Sequence, residues 1–177
     1  MVNVGATKLS IEDFERLLFD EANVSLDPDG LQRVRKNFEF LNAYAKHKII
    51  YGINTGLGPM AQYKVSESDQ RQLQYNLIRS HSAGAGEPFN ALFARATMLS
   101  RLNSLMQGYS GIDSSVPELI AELINRNIHV FIPERGGVGA SGDLVQLAHL
   151  ALNLIGEGKV NDQGSWQPAA EVFTRHG

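Results

Sequence analysis

The 177-residue sequence contains no cysteine, which excludes disulfides, thiolate metal sites, redox dithiols and cysteine nucleophiles. It has no run approaching the roughly 20 apolar residues that span a bilayer, and its N-terminus lacks a basic start followed by an apolar segment. Neither sign of charge dominates, because 16 Lys and Arg oppose 19 Asp and Glu along the whole chain. These absences predict a soluble, cytoplasmic protein with no nucleic-acid or membrane partner.

The composition is that of a globular protein, with 43% hydrophobic and 20% charged residues. A chain of this length buries about 70% of its unfolded surface, so folding does not require a metal. We expect one domain over 1–177. The sequence has five histidines, His47, His81, His129, His149 and His176. Their spacing is not that of metal ligands, and we therefore expect no metal site.

Apolar residues recurring every three and four positions predict six helices, and the fold class is therefore mainly α. Two serine-aspartate pairs, Ser10 with Asp13 and Ser66 with Asp69, predict capped starts. The sequence predicts a turn at 27–30 and short extended segments at 49–51 and 128–132. The expected helices cover 10–20, 31–46, 66–81, 90–107, 115–124 and 144–155.

The densest glycine cluster lies at 136–142, directly before the apolar segment 144–155. Its 137–142 part satisfies G-x-G-x-x-G, a pattern typical of dinucleotide binding. Two features argue against dinucleotide binding. Residues 133–135 separate the possible strand from the glycines, and no following strand could place an acidic side chain at the ribose of a dinucleotide. A plain alternative is a loop that caps a buried helix through Ser141 or Asp143. From these residues alone both interpretations stay open.

The run Gly136-Gly-Val-Gly-Ala-Ser-Gly-Asp-Leu144 resembles, nearly residue for residue, the signature of the aromatic amino acid ammonia-lyases and their aminomutase relatives. Further blocks occur in the order of that family, at 51–58, 73–81, 101–111, 155–158 and 168–171. The resemblance covers the whole chain. It implies the N-terminal helical domain of the ammonia-lyase fold, with short strand pieces and a glycine-rich active-site loop.

In that family an Ala-Ser-Gly triplet cyclises with loss of two waters to 4-methylidene-imidazol-5-one, and the matching residues are Ala140, Ser141 and Gly142. Small side chains permit the Gly142 nitrogen to attack the Ala140 carbonyl, and Ser141 supplies the hydroxyl whose loss leaves the methylidene group. Asp143 is expected to support ring formation. The resemblance implies no metal and no diffusible cofactor.

The resemblance also implies which residues act on or contact the substrate. Tyr51 corresponds to a tyrosine that takes part in acid-base catalysis in the family. His81, together with Ser80, corresponds to the position that contacts the substrate ring. Leu57 and Gly58 belong to the same substrate-binding loop. Without the resemblance, Tyr51 is an ordinary loop aromatic, and His81 is a helix-end histidine that caps carbonyl groups.

Departures from the family pattern bear on the substrate, which the resemblance makes an aromatic L-amino acid. Leu57 stands where many members have Phe, and Val145-Gln146 replaces a frequent Ala-Pro. The pair Ser80-His81 resembles the histidine enzymes. Histidine, giving urocanate, is therefore marginally favoured over tyrosine, giving coumarate, with phenylalanine also open. Asn54 is expected to shape the loop rather than to contact substrate.

Members of this family are several hundred residues long, so the chain corresponds to their N-terminal part, without the C-terminal helical region. The resemblance implies a homotetramer at full length and an active site completed by residues beyond this chain. We therefore expect a carbon-nitrogen lyase whose N-terminal part alone is inactive. The alternatives are a catalytically silent helical fragment with an uncyclised Ser141, and an aminomutase.

Overall fold

The computed structural model describes residues 1–20, 22–139 and 144–177, and in this part the chain is mainly α, as predicted. Among the helices described, none combines the length and apolar composition needed to cross a bilayer. The helices are α1 Ile11–Leu18, α2 Pro28–Ala45, α3 Glu67–His81, α4 Ala91–Leu105, α5 Ser115–Asn125, α6 Leu144–Leu154 and α7 Ala169–His176. The strands are β1 Val2–Val4, β2 Val24–Leu26, β3 Ala85–Pro88, β4 His129–Val130, β5 Pro133–Arg135, β6 Lys159–Asp162 and β7 Ser165–Pro168.

All six predicted helices are present, but α2 begins earlier than expected. The Asp27 carboxylate accepts from the Gly30 backbone N–H at 2.8 Å and so caps the helix. Pro28 occupies the first turn, where its fixed φ suits a helix and its missing N–H costs nothing. The residues interpreted as a turn are therefore the start of α2.

The two predicted capping pairs behave differently. In α1 the pair is reciprocal, because the Asp13 N–H donates to Ser10 Oγ and the Ser10 N–H donates to Asp13 Oδ2, both at 3.1 Å. At α3, Ser66 holds the expected position, but its hydroxyl donates to Asp69 Oδ2 at 2.6 Å and caps no backbone group. The position was predicted correctly and the capping contact was not.

The short strands form three small sheets within the described residues. The parallel pair β1–β2 joins Val2 to Val24, β3 pairs antiparallel with β5, and β4, β6 and β7 form an antiparallel sheet. Segment 49–51 is not a strand, and only His129–Val130 of the expected 128–132 pairs. Helix α7 was not predicted.

Strand β5 corrects one argument about the glycine cluster. Residues Pro133–Arg135 do not separate a strand from the glycines but are themselves a strand directly before them. Their partner β3 is antiparallel, whereas a dinucleotide-binding β-α-β unit needs parallel strands. The structure therefore gives no support to the dinucleotide interpretation.

The hydrophobic core lies around α4 and α5. Helix α4 buries one broad face, formed by Ala94, Arg95, Met98, Leu99, Leu102 and Leu105, and α5 packs against α4. The largest fully buried side chains include Met98, Leu99, Leu102, Met106, Ile120, Leu123, Ile124, Ile128 and Ile132.

A buried arginine on α4 holds the ends of two other helices. Arg95 is only 8% exposed; its Nε donates to the Leu17 carbonyl and its Nη1 to the Ile124 carbonyl, each at 2.8 Å. These carbonyls lie in the last turns of α1 and α5, where the helix dipole favours a cation. The guanidinium thus fixes α1 and α5 on α4. Burial lowers the pKa of His129, and the positive charge of Arg95 lowers it further.

We predict that Arg95→Met lowers the free energy of unfolding by about 3 kcal/mol, because the substitution removes the charge-assisted hydrogen bonds to the Leu17 and Ile124 carbonyls, although Ile124 keeps its bond from the Asn127 N–H. Urea unfolding followed by circular dichroism measures the change. Arg16→Met is the matched control: Arg16 is half-exposed, its closest approach to Asp13 is 3.9 Å, and we expect an effect below about 0.5 kcal/mol. Equal unfolding midpoints for the two variants would contradict the role assigned to Arg95.

Candidate active site

The loop 50–65 is organised by one buried amide. Asn54 is 1% exposed, and its Oδ1 accepts from the Ile50 N–H at 2.8 Å. Its Nδ2 donates to the carbonyls of Ala45 and Lys48 at 2.9 and 2.8 Å. Asn54 thus provides hydrogen-bond partners for three backbone groups between the end of α2 and the start of the loop. These contacts hold the start of the loop to the end of α2, in line with the expectation that Asn54 shapes the loop.

Tyr51 lies at the start of this loop with its ring largely exposed, at 62%. Its phenol oxygen accepts from the Gly58 N–H at 3.0 Å. Gly58 has a φ of +53°, a left-handed conformation that favours glycine, and begins a short 3₁₀ turn, Gly58–Met60. The phenol oxygen therefore has a fixed position, while its proton remains available to another acceptor.

His81 closes the last turn of α3. Its Nδ1 lies 2.9 Å from the Leu77 carbonyl and 3.1 Å from Ser80 Oγ. A carbonyl can only accept, so Nδ1 carries the proton and Nε2 of the neutral ring is an acceptor. The helix-end contact expected of an ordinary histidine is thus present. It also fixes which ring nitrogen is free.

Four of the predicted site residues line one cavity of about 600 Å³. The loop contributes Tyr51, Leu57 and Gly58, and α3 contributes His81. Ser80 lines an adjoining cavity of about 440 Å³, together with Leu57 and His81. The remaining walls of the larger cavity are apolar: Leu77, Ile78, Leu144, Leu147 and Ala148. This volume lies in the range of small-molecule sites.

The predicted triplet Ala140, Ser141 and Gly142, with Asp143, lies outside the described residues. Asp143 is bonded to Leu144, the first residue of α6 and a wall of the cavity. The cavity therefore adjoins the triplet along the chain.

The contribution of α6 to this cavity was not predicted from the sequence. Leu144, Leu147 and Ala148 follow the i, i+3, i+4 spacing of one helix face. That spacing was visible in the predicted apolar helix, but nothing in the sequence pointed this face toward α3.

An ion pair joins α3 to the residues that follow α6. The guanidinium of Arg79 makes two hydrogen bonds to Glu157, just beyond α6, and lowers the pKa of that carboxyl. Over the described ranges, no three His, Asp or Glu side chains are grouped so that they could hold a metal ion. The arrangement is an apolar cavity with a phenol and an imidazole on its rim.

Comparison with known proteins identifies the class. The family model described as aromatic amino acid lyase matches residues 9–177, and the chain belongs to that family. Similar curated relatives are tyrosine 2,3-aminomutase of Chondromyces crocatus, 46% identical over 99% of this chain, and histidine ammonia-lyase of Bacillus cytotoxicus, 39% identical over 100%. The chain spans 33% and 35% of their lengths.

Solved structures agree with this assignment. A crystal structure of tyrosine aminomutase from Streptomyces globisporus superposes with a TM-score of 0.89 at 36% identity. The match covers 98% of this chain and 33% of that one. The chain therefore has the fold of the N-terminal helical region of this family. Its relatives carry both lyase and aminomutase names.

We predict that Asn54→Ala loosens loop 50–65 and lowers stability by about 2 kcal/mol, because three backbone groups lose their partner. Hydrogen exchange of peptides from this loop, together with urea unfolding, measures both effects. Asn42→Ala serves as the control, because Asn42 is exposed on α2. Unchanged exchange in the Asn54 variant would show that the loop is held by other contacts.

Proposed function

We propose that this chain is the N-terminal part of an aromatic amino acid ammonia-lyase, which eliminates ammonia from an aromatic L-amino acid to give an α,β-unsaturated acid. One observation carries the proposal. The cavity gathers Tyr51, Leu57, Gly58 and His81 against the start of α6, and α6 follows directly on the segment 140–143.

The residue types at 140–142 fit the prosthetic group 4-methylidene-imidazol-5-one. Ring closure needs small side chains and a hydroxyl, and the triplet provides both. Gly136 and Gly139, just before it, have φ values of +144° and +67°, so the approaching backbone uses conformations that side chains would hinder. When formed, the group supplies an electrophile that makes ammonia a better leaving group. We propose no metal and no diffusible cofactor.

In this proposal Tyr51 handles the β-proton of the substrate. The Gly58 N–H fixes the phenol oxygen at the cavity wall, and general acid-base catalysis requires such a fixed distance to the reacting atom. Leu57 and Gly58 form the wall beside it, so the substrate side chain would pack against apolar surface.

His81 would orient the substrate ring. Its Nε2 is an acceptor, because Nδ1 faces the Leu77 carbonyl. The ring N–H of histidine and the O–H of tyrosine can both donate to it, whereas phenylalanine would leave it unpaired. Ser80, which contacts His81 Nδ1, supports that orientation. Histidine is marginally favoured because the Ser80-His81 pair resembles the histidine enzymes.

An aminomutase of the same family is the second candidate. The relatives named tyrosine 2,3-aminomutase support it, among them the one at 46% identity. Such an enzyme would return the amine to the β-carbon of the substrate rather than release it. In either case we propose that the active enzyme is a homotetramer of a longer chain, and that the 177 residues alone form an incomplete, inactive site.

The first test is the mass of the peptide that contains Ala140, Ser141 and Gly142. We expect it to be two waters lighter than its sequence, because cyclisation removes two waters. Ser141→Ala lacks the hydroxyl and is expected to keep the full mass. Replacing Asp143 with Ala is expected to reduce the modified fraction. A peptide of full mass in the unmutated chain would instead favour the silent fragment with an uncyclised Ser141.

The second test concerns the substrate and uses the longer protein that carries this segment. We expect turnover of L-histidine or L-tyrosine to exceed that of L-phenylalanine at least tenfold, the discrimination that one unpaired polar group produces. Ultraviolet absorption of the unsaturated acid reports the lyase, and chromatography of a β-amino acid reports the aminomutase. Preferred turnover of L-phenylalanine would contradict the role given to His81.

A further inference from the structure

A second histidine, His149 on α6, is buried, with 8% exposure, and does not line the cavity. Its Nε2 accepts from the Gly84 backbone N–H at 3.0 Å. A backbone N–H is always a donor, so this contact requires an unprotonated Nε2. Burial also lowers the pKa of His149, and both effects favour the neutral ring.

Gly84 is enclosed by α6 and β5. A side-chain carbon added at this position would lie 3.0 Å from His149 Nε2, 3.0 Å from Pro133 Cγ and 3.1 Å from the Arg135 carbonyl oxygen. These distances are tighter than normal contacts, so the backbone of Gly84 fills the space between the helix and the strand.

Gly84 also lies beside Gly136, which in turn lies beside Val145, and these two residues flank the triplet segment. A side-chain carbon on Gly136 would lie 3.1 Å from the Gly84 Cα and 2.7 Å from Val145 Cγ1. Gly136 precedes the segment and Val145 follows it. The contact of His149 with Gly84 is therefore made where the two ends of the segment come together.

We propose that His149 is a positioning residue for the segment 140–142: by accepting the Gly84 N–H, its neutral imidazole holds Gly136 and Val145 at the separation that cyclisation requires. The proposal rests on the proposed function. In the cyclisation the Gly142 nitrogen bonds to the Ala140 carbonyl carbon, and two waters leave. His149 neither gains nor loses a proton in that step.

The proposal predicts a dependence on pH. Protonation of Nε2 would set two donors against each other, so the contact is complete above the ordinary histidine pKa of about 6.5 and is lost as the pH falls through the lowered pKa of His149. Carboxyl and guanidinium groups ordinarily titrate outside the range from about pH 5.5 to 7.5, so the neighbouring groups that can interfere are imidazoles. The elements packed against α6 are α3, α5 and β4, and β3 and β5 lie beside Gly84; α6 itself has no charged or titratable residue besides His149. The charged or titratable residues on these five elements are Glu67, Asp69, Arg71, Tyr75, Arg79, His81, Glu87, Glu118, Glu122, His129, Glu134 and Arg135.

The test uses the 177-residue chain with His149→Gln and His149→Leu. Glutamine offers an acceptor oxygen that does not titrate, whereas leucine offers none. We expect His149→Leu to raise the exchange rate of the Gly84 amide about tenfold, as for one lost hydrogen bond, and to reduce the two-water loss at 140–142. His149→Gln is expected to restore both. His129→Gln is the control, because burial lowers the pKa of that histidine too.

The pH profile separates positioning from general stability. Lowering the pH of refolding from about 7.5 to about 5.5 should slow ring formation in the unmutated chain and in His129→Gln, but not in His149→Gln. Ring formation and Gly84 exchange in His149→Leu that match the unmutated chain would overturn the proposal, as would identical pH profiles for His149→Gln and the unmutated chain.

Failure of the proposed function gives a different result. If no form of the chain loses two waters, the silent fragment with an uncyclised Ser141 is favoured, and hydrogen exchange at Gly84 and in peptide 136–145 alone decides the positioning role. Faster exchange in His149→Leu with rescue in His149→Gln supports it, and equal exchange in all forms rejects it. If the leucine variant does not fold, the comparison of His149→Gln with the unmutated chain across pH gives the same decision.

Discussion

The packing of α3 against α6 is the contact on which the candidate site depends. Leu77 and Ile78 face Leu147 and Ala148 across the cavity, so a shift of either helix would change its shape. Loop 50–65 is attached to the same platform, because Gln74 on α3 donates to the Gly52 carbonyl at 2.9 Å. Both the loop and the α6 wall of the cavity are thus in contact with α3.

This platform differs physically from the rest of the fold. Helix α4 has a face of buried side chains, whereas α3 has no buried residue. The exposed aromatic and sulfur-containing side chains Tyr51, Met60 and Tyr63 lie on the adjoining loop. The well-packed part of the molecule therefore supports a site built from half-exposed elements, in a chain that spans about a third of its relatives' length.

Local patterns in the sequence were sufficient for the helices. Apolar spacing located all six expected helices, and the reciprocal contact of Ser10 and Asp13 is what such a pair specifies within one turn. Family motifs also brought Tyr51 and His81 into consideration, and the structure places both on one cavity. What these elements share is that the deciding interactions lie within a few residues of each other.

The unpredicted features depend on distant partners. Strand β5 exists because Ala85 and Pro88 pair with Arg135 and Pro133, and no alternation of apolar residues marks so short a strand. The hydrogen bond between Gly84 and His149 crosses 65 residues of sequence. Segment 49–51 has the composition of a strand, but the buried amide of Asn54 takes up the Ile50 N–H that a neighbouring strand would have required.

The two main hydrogen bonds of Arg95 join residues that are 78 and 29 positions away in the sequence. Closing the longer of these loops costs more chain entropy, so α4 and α5 can associate before α1 joins them. Because the same guanidinium then holds both helix ends, the docking of α1 also strengthens the hold on α5. The N-terminal helix, although short, is therefore expected to complete the folding of the core as its last cooperative unit.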